Sequence, residues 1–332
     1  MQLLLTLTGV TSIAQGAGGY QLTQADCDRL KVNPESMVSL YGETFQKYDD
    51  NFELYLDPAA EHQIKLCRKN FTPPTSGNID MTSMTADEAQ LTIRAALAAG
   101  FTEIKLTGEL SKTGIGGNWG TFINNKKITK CDLTGVTDWG RTPTLPELAF
   151  SNCTALQEVT LPDDMKVIGT GAFFGCAALT TVNLSQVTWI NLNAFWGCTS
   201  LETLALDNVT AIGQEAFYGC TGLETLKIPK CTQFGNYIVS GCKALTRIEA
   251  TAAGDFVDIS DGRSSIERTA VFHNRDSHYG DSAFNPAKCD LVLNADKKQD
   301  GNATPKVFSD NEWLVMPNGQ LMRWNSITFA QQ

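Results

Sequence analysis

AFSNC (149–153), AFFGC (172–176), AFWGC (194–198), AFYGC (216–220) and the degenerate IVSGC (238–242) are one short phrase written five times. Their starts step by 23, 22, 22 and 22 residues. Self-similarity at such a period marks a solenoid, in which each unit is too small to bury its own apolar face and must stack on its neighbours. Inside each unit an L-x-x-V-x-L pattern follows the cysteine: Leu156, Val159 and Leu161; Leu179, Val182 and Leu184; Leu201, Leu204 and Leu206; Leu223, Leu226 and Ile228. That alternation predicts a short strand with one buried face. A second apolar anchor, Ile168, Ile190, Ile212 or Phe234, comes where the coil turns back towards the next phrase. Burying each such side chain stabilises by about 1.5–3 kcal/mol, so four or five per coil build a continuous core without a globular centre.

Cys153, Cys176, Cys198, Cys220 and Cys242 recur once per coil. A disulfide ladder would pair neighbours and leave one over. A zinc site would want close pairs such as C-x-x-C, whereas Cys220 and Cys231 are eleven apart. The cysteines are therefore read as small buried hydrophobes at a tight corner, each with a weak S–H donor.

The pattern C-x-x-L-x-x-V-x-L-P-x-x-x-x-x-I-G-x-x-A-F, seen in CTALQEVTLPDDMKVIGTGAF (153–173) and CTSLETLALDNVTAIGQEAF (198–217), resembles the BspA-like leucine-rich repeat family of bacterial surface proteins. The resemblance is specific over residues 145–250, looser over the flanks to about 85 and 329, and absent before that. It implies an α/β-type solenoid, a right-handed leucine-rich repeat coil with short parallel strands, an N-terminal helical cap and an irregular C-terminal cap. It also implies export and a binding role, with no catalytic residue in the motif.

Four segments follow. Residues 1–17 (MQLLLTLTGVTSIAQGA) carry an apolar run ending in small residues, like a cropped secretory signal without its positive start; the run is too short to span a bilayer. The same stretch echoes LALDNVTAIGQEA (204–216), so Leu5, Leu7, Val10 and Ile13 are alternatively a stray repeat-like strand. Residues 18–84 lack the register and read as a small, partly helical cap, with TSGN (75–78) a linker and Cys27 and Cys67 a candidate disulfide.

Residues 85–250 are the solenoid. TADEAQLTIRAALAAG (85–100) opens it as a helix: Thr85 and Glu88 make a capping box, Ala89, Ile93, Ala96 and Leu97 an apolar face, and Gly100 a C-cap. FTEIKL (101–106) and ITKCDL (128–133) then match the strand pattern at intervals of 27 and 28, as two irregular opening coils. GIGGNWG (114–120) is a turn, since it lacks the Lys-Ser/Thr of a phosphate loop.

Residues 251–332 begin with a polar insertion (253–281), after which SAF (282–284) and CDLVL (289–293) recover one degenerate coil. Ala250 and Leu293 are 43 apart, close to two repeats, as if one coil were replaced by the insertion. Trp313, Leu314, Trp324, Ile327 and Phe329 supply a C-terminal cap.

The 332 residues are 42% hydrophobic and 19% charged, with a net charge of −10 and no Lys/Arg cluster, which argues against nucleic acid and anionic membranes as partners. The three histidines, His62, His273 and His278, stand outside the repeats, HNRDSH lacks the H-x-x-x-H zinc spacing, and G-x-S-x-G is absent; the reading is a protein that is not an enzyme and takes no cofactor or metal. Two rows are candidates for ligand contact instead. Strand residues alternating with the buried set reach the open sheet face, among them Glu158, Thr181, Asn183, Thr203, Lys227 and Arg247. The residue after each AF gives Phe174, Trp196 and Tyr218, expected to stack in successive coils as an outward stripe. The expectation is a monomeric, secreted or cell-surface module adhering to proteins or glycans of a host or neighbouring cell. The alternative is a structural scaffold of the bacterial cell envelope.

Overall fold

The structure is a computed structural model. It describes residues 74–253 apart from 118 and 119, then 256–259, 272, 274, 283–295, 312–315 and 321–330; before these it describes the backbone of seven strands between residues 2 and 68. His62, His273, His278, the Cys27–Cys67 pairing and the side chains of Trp313 and Leu314 lie outside the described residues.

Gln2–Leu7 pairs antiparallel with Ile64–Arg68, which pairs on its other side with Phe52–Leu56. The described elements between 18 and 73 are strands, and the helical part expected of this segment lies outside the described residues. Phe52, Leu54 and Leu56 alternate with Glu53 and Tyr55, a period of two that the stretch's Asp and aromatic content masked. Leu5 and Leu7 sit in this antiparallel pairing rather than in a repeat coil.

The expected opening helix is Ala86–Ala98, and Thr85 and Glu88 close its capping box: the Thr85 hydroxyl accepts from the Glu88 amide at 3.3 Å while the Glu88 carboxylate accepts from the Thr85 amide at 3.0 Å. Ala99 is the C-cap and Gly100 follows at φ 96°, a left-handed turn open to glycine. Ala89, Ile93, Ala96 and Leu97 are buried, packing the helix on the first coils.

From there the chain winds as a stack of coils with two parallel ladders. The principal ladder runs Asn78–Asp80, Glu103–Glu109, Lys130–Thr137, Glu158–Thr160 and Thr181–Val182, then resumes as Thr225–Lys227, Arg247–Ala250, Asp290–Asn294 and Ser326–Ala330. The supposed linker TSGN therefore runs into the first strand. The second ladder is made of two-residue strands at the expected second anchors: Thr144–Leu145, Val167–Ile168, Trp189–Ile190, Ala211–Ile212, Gln233–Phe234 and Val257–Asp258.

Two interior rows lock the coils together. Phe122, Phe150, Phe173, Phe195 and Phe217 stack ring on ring, with centroids 5.1–5.6 Å apart. Beside them each register cysteine donates its S–H to a phenylalanine carbonyl: Cys153 to Phe122 (2.8 Å), Cys176 to Phe150 (3.0 Å), and Cys198 to Phe173, Cys220 to Phe195 and Cys242 to Phe217 (each 3.1 Å). All five are buried free thiols, as the sequence reading had them, and each is a second donor to a carbonyl that also accepts a backbone amide of its own coil.

At the C-terminal end Ala250 is paired directly with Leu293, so no strand of the principal ladder lies between them and the two ends close one enlarged coil. Asn274 pins that enlarged coil. In the regular coils the Gly175, Gly197 and Gly219 amides donate to the next coil's backbone, at Trp196, Tyr218 and Ser240. The Gly241 amide donates instead to the Asn274 side-chain oxygen at 3.1 Å, while the same carboxamide accepts from the Phe284 amide (3.0 Å) and donates to the Phe284 carbonyl (2.7 Å). Asn274→Ala breaks all three and is expected to cost about 1–3 kcal/mol, read as a lower urea midpoint; a loss under about 0.5 kcal/mol would deny the side chain this role. Phe272 and Trp324 are buried beside it, with rings 6.1 Å apart and edge to face. Ser326–Ala330 is one more parallel strand, from which Ile327 and Phe329 pack against the core.

Candidate functional site

Strand alternation sends every second side chain of the principal ladder outward, and its first coils carry an ordered set of charges there. Ile104, Leu106, Cys131, Leu133 and Val159 are buried, so Glu103, Lys105, Lys130, Asp132, Glu158 and Thr160 face the other way. Register puts Glu103, Lys130 and Glu158 side by side, and the Lys130 ammonium lies 3.7 Å from both carboxylates. One step along, Lys105 meets Asp132 at 2.6 Å. These residues, with Asn78, line a shallow depression of about 280 Å³. Partial burial opposes ionisation of Asp132, but hydrogen bonds from the Lys105 ammonium and from the Thr134 hydroxyl and amide outweigh it, holding its carboxyl below the usual range. Exposed ion pairs of this kind stabilise by about 0–1 kcal/mol each, so fold stability does not require them.

Of the face residues expected from sequence, Glu158 belongs to this set, Thr181, Lys227 and Arg247 are exposed on the ladder or its continuation, and Thr203 is exposed in the stretch between the two, which joins no strand. Lys227 reaches Asp207 at 4.0 Å and Arg247 pairs with Glu249 at 2.6 Å. Asn183 differs from expectation. Its carboxamide donates to the Leu161 carbonyl (2.9 Å) and accepts from the Leu161 amide (2.6 Å), a side chain standing in for ladder backbone and committed to the preceding coil. Glu103, Lys105, Lys130 and Asp132 were missed because they sit in the two irregular coils. Their signal was present in FTEIKL and ITKCDL, where charge alternates with Ile, Leu and Cys.

The aromatic row exists but is closed on itself. The rings of Phe174 and Trp196 lie 4.4 Å apart at 2°, and those of Trp196 and Tyr218 lie 5.2 Å apart at 3°. Phe174 and Trp196 are half-buried and keep part of their surface in solvent, whereas Tyr218, expected in the same outward stripe, is only 7% exposed. Rings stacked in parallel cover one another's faces and leave chiefly edges to solvent. The exposed large apolar side chains among the described residues are elsewhere, at Trp189, Leu192 and Val257 on the second-ladder side.

Burial pushes the thiols of Cys153 and Cys220 up to about 12 and those of Cys176, Cys198 and Cys242 well above their ordinary value, so they are neutral donors and poor nucleophiles. Among the described residues no group of three His, Cys, Asp or Glu is placed to hold a metal, and no helix is long and apolar enough to cross a membrane.

Residues 121–246 match, in six copies, the family described as a BspA type leucine rich repeat region. No curated protein matches the chain. Similar solved structures include a leucine-rich repeat protein from Bacteroides ovatus, 23% identical over 45% of this chain and 34% of that one, TM-score 0.33. A leucine rich cell surface protein from Faecalibacterium prausnitzii is 18% identical over 74% of this chain and 69% of that one, TM-score 0.31. The pneumococcal vaccine antigen PcpA is 16% identical over 59% and 45%, TM-score 0.35. This chain spans about a third of the Bacteroides ovatus protein's length.

Proposed function

We propose that this chain, whose residues 121–246 are a leucine-rich repeat region of the BspA type, is an extracellular binding module that adheres to proteins or glycans of a host or neighbouring cell. The observation that carries this reading is the charged set on the open face: Glu103, Lys130 and Glu158 beside Lys105 and Asp132, fixed on three consecutive strands above a depression and contributing little to stability. Regular parallel strands hold these groups at fixed spacings before any partner arrives, which lowers the ordering cost of binding. Complementary charge also steers the encounter and selects the partner. The solvent-facing edges of Phe174 and Trp196, further along the stack, are a second contact row.

The test is binding of the full chain to an array of extracellular-matrix proteins and glycans, beside Lys130→Glu and a Trp196→Ser/Tyr218→Ser double variant. Saturable binding is expected to weaken at least about tenfold in Lys130→Glu, since one rim charge is worth about 1–2 kcal/mol at an interface, while the carboxylate set between Glu103 and Glu158 lowers the folding stability by only about 1 kcal/mol or less per neighbour and leaves the chain folded. Binding lost in the double variant and kept in Lys130→Glu moves the site to the aromatic row. An array without a saturable partner rejects the module and favours the envelope scaffold.

A further inference from the structure

The principal ladder is broken at one coil. It ends at Thr181–Val182 and resumes at Thr225–Lys227, and the stretch between them, LETLAL (201–206), joins no strand although it fits the repeat pattern as well as its neighbours do. Elsewhere adjacent coils are stitched closely: the Thr180 and Thr181 amides both donate to the Gln157 carbonyl, at 2.9 and 3.1 Å. Here the Ser200 amide reaches the Ala177 carbonyl at 3.1 Å on one side and the Glu224 amide reaches the Glu202 carbonyl at 3.2 Å on the other. The core shows the same loosening. Val159, Leu226 and Ile248 are at most 1% exposed, Val182 is 9% exposed and Leu204 is half-buried.

Two features of neighbouring coils account for the break. Asn183 turns its carboxamide back onto Leu161, away from the coil that follows. Glu202 and Glu224 then occupy the same place in adjacent coils, where Gln157, Thr180 and Thr246 stand in the others. Both glutamates are exposed, and like charges one strand spacing apart, about 4.8 Å, repel.

The other sides of the same coil are continuous. Trp189–Ile190 pairs with Ala211–Ile212, Phe195 stacks between Phe173 and Phe217, and the thiols of Cys198 and Cys220 keep their carbonyl partners. A stack pinned along its second ladder and interior rows but unpinned on one face can flex only by opening and closing that face. We propose that the 201–206 coil is a hinge at which the open face changes curvature, dividing it into a charged N-terminal half and a C-terminal half that move relative to each other. This rests on the pairing and packing of the coils and holds whether or not the face binds a ligand.

The test uses the full chain. Backbone amides of residues 203–206 are expected to exchange with deuterium at least about 100-fold faster than those of Glu158–Thr160 and Thr225–Lys227. Probes on noncanonical residues at 157 and 246 are expected to give a broad distance distribution. In the Glu202→Thr/Leu204→Val variant, which copies neighbouring coils, exchange slows at least about tenfold and the distribution narrows. Equal protection of 203–206 and its neighbours overturns the hinge. So does fast exchange with a distribution that is narrow from the start, which is the mark of a fixed gap. If the double variant does not fold, Glu202→Thr alone carries the same comparison.

Discussion

Raising the pH above about 9 is expected to unfold the repeat region steeply, with stability falling by at least about 7 kcal/mol per pH unit once unfolded thiols ionise. The reason is the row Cys153, Cys176, Cys198, Cys220 and Cys242, buried and each donating S–H to a phenylalanine carbonyl. Their folded-state pKa values are raised, to about 12 for Cys153 and Cys220, because burial disfavours the thiolate. In the unfolded chain a thiol ionises near pH 8.5. The folded state therefore binds more protons than the unfolded one above that pH, and the stability contributed by the neutral thiols, complete below it, is lost as pH rises. Each thiol contributes about 1.4 kcal/mol per unit, the five act in the same direction, and the buried thiols of Cys131, Cys231 and Cys289, which burial also raises, add to them. A domain stable by about 5–15 kcal/mol is exhausted within one to two units. Circular dichroism against pH, with thiol titration by Ellman's reagent alongside, reads both halves of the argument. The register thiols should be silent at pH 8 and appear in step with the loss of structure. Thiols that react in the folded state, or a Cys198→Ala/Cys220→Ala variant whose midpoint pH does not rise relative to its stability at pH 7, would refute it.

The sequence made the coil legible because each coil is a local fact: AF, the cysteine, L-x-x-V-x-L and the second anchor all lie within 22 or 23 residues. Phe173, Leu179, Val182 and Ile190 could each be assigned an inward position, and each is buried. What stayed hidden is what one coil does to the next. LETLAL fits the apolar pattern as LQEVTL does; that its Glu202 stands next to Glu224, and that Asn183 one coil earlier turns back onto Leu161, emerges only when the coils are stacked. Asn274 was illegible for the same reason, since a side chain more than thirty residues away completes the turn at Gly241. At the candidate site, the pairing of Lys130 with Glu103 and Glu158 depends on register across intervals of 27 and 28 residues, outside the strict repeat. Tyr218 was read as outward from its place in the phrase, but a ring stacked on Trp196 is covered on the face it presents to that neighbour.

The ring row gives the largest expected effect of a single substitution. Phe195→Ala should lower the unfolding free energy by about 3–5 kcal/mol, because it removes a fully buried ring and leaves a cavity that flanking coils cannot close without breaking their own pairing. Phe195 lies between Phe173 at 5.1 Å and Phe217 at 5.6 Å, with interplanar angles of 15° and 13°, so one truncation damages two coil interfaces. In a solenoid those interfaces carry much of the stability, since a coil by itself is unstable. Phe195→Leu keeps most of the volume and should cost about 1.5 kcal/mol or less. Phe122 stands at the head of the row with Phe150 as its ring partner, so Phe122→Ala should cost less than Phe195→Ala. Urea unfolding of the three variants orders them directly. An alanine at 195 no more damaging than one at 122 would mean that the rings fill space independently and that the row does not couple the coils; the expected order makes Phe195 a point through which stability passes from one half of the stack to the other.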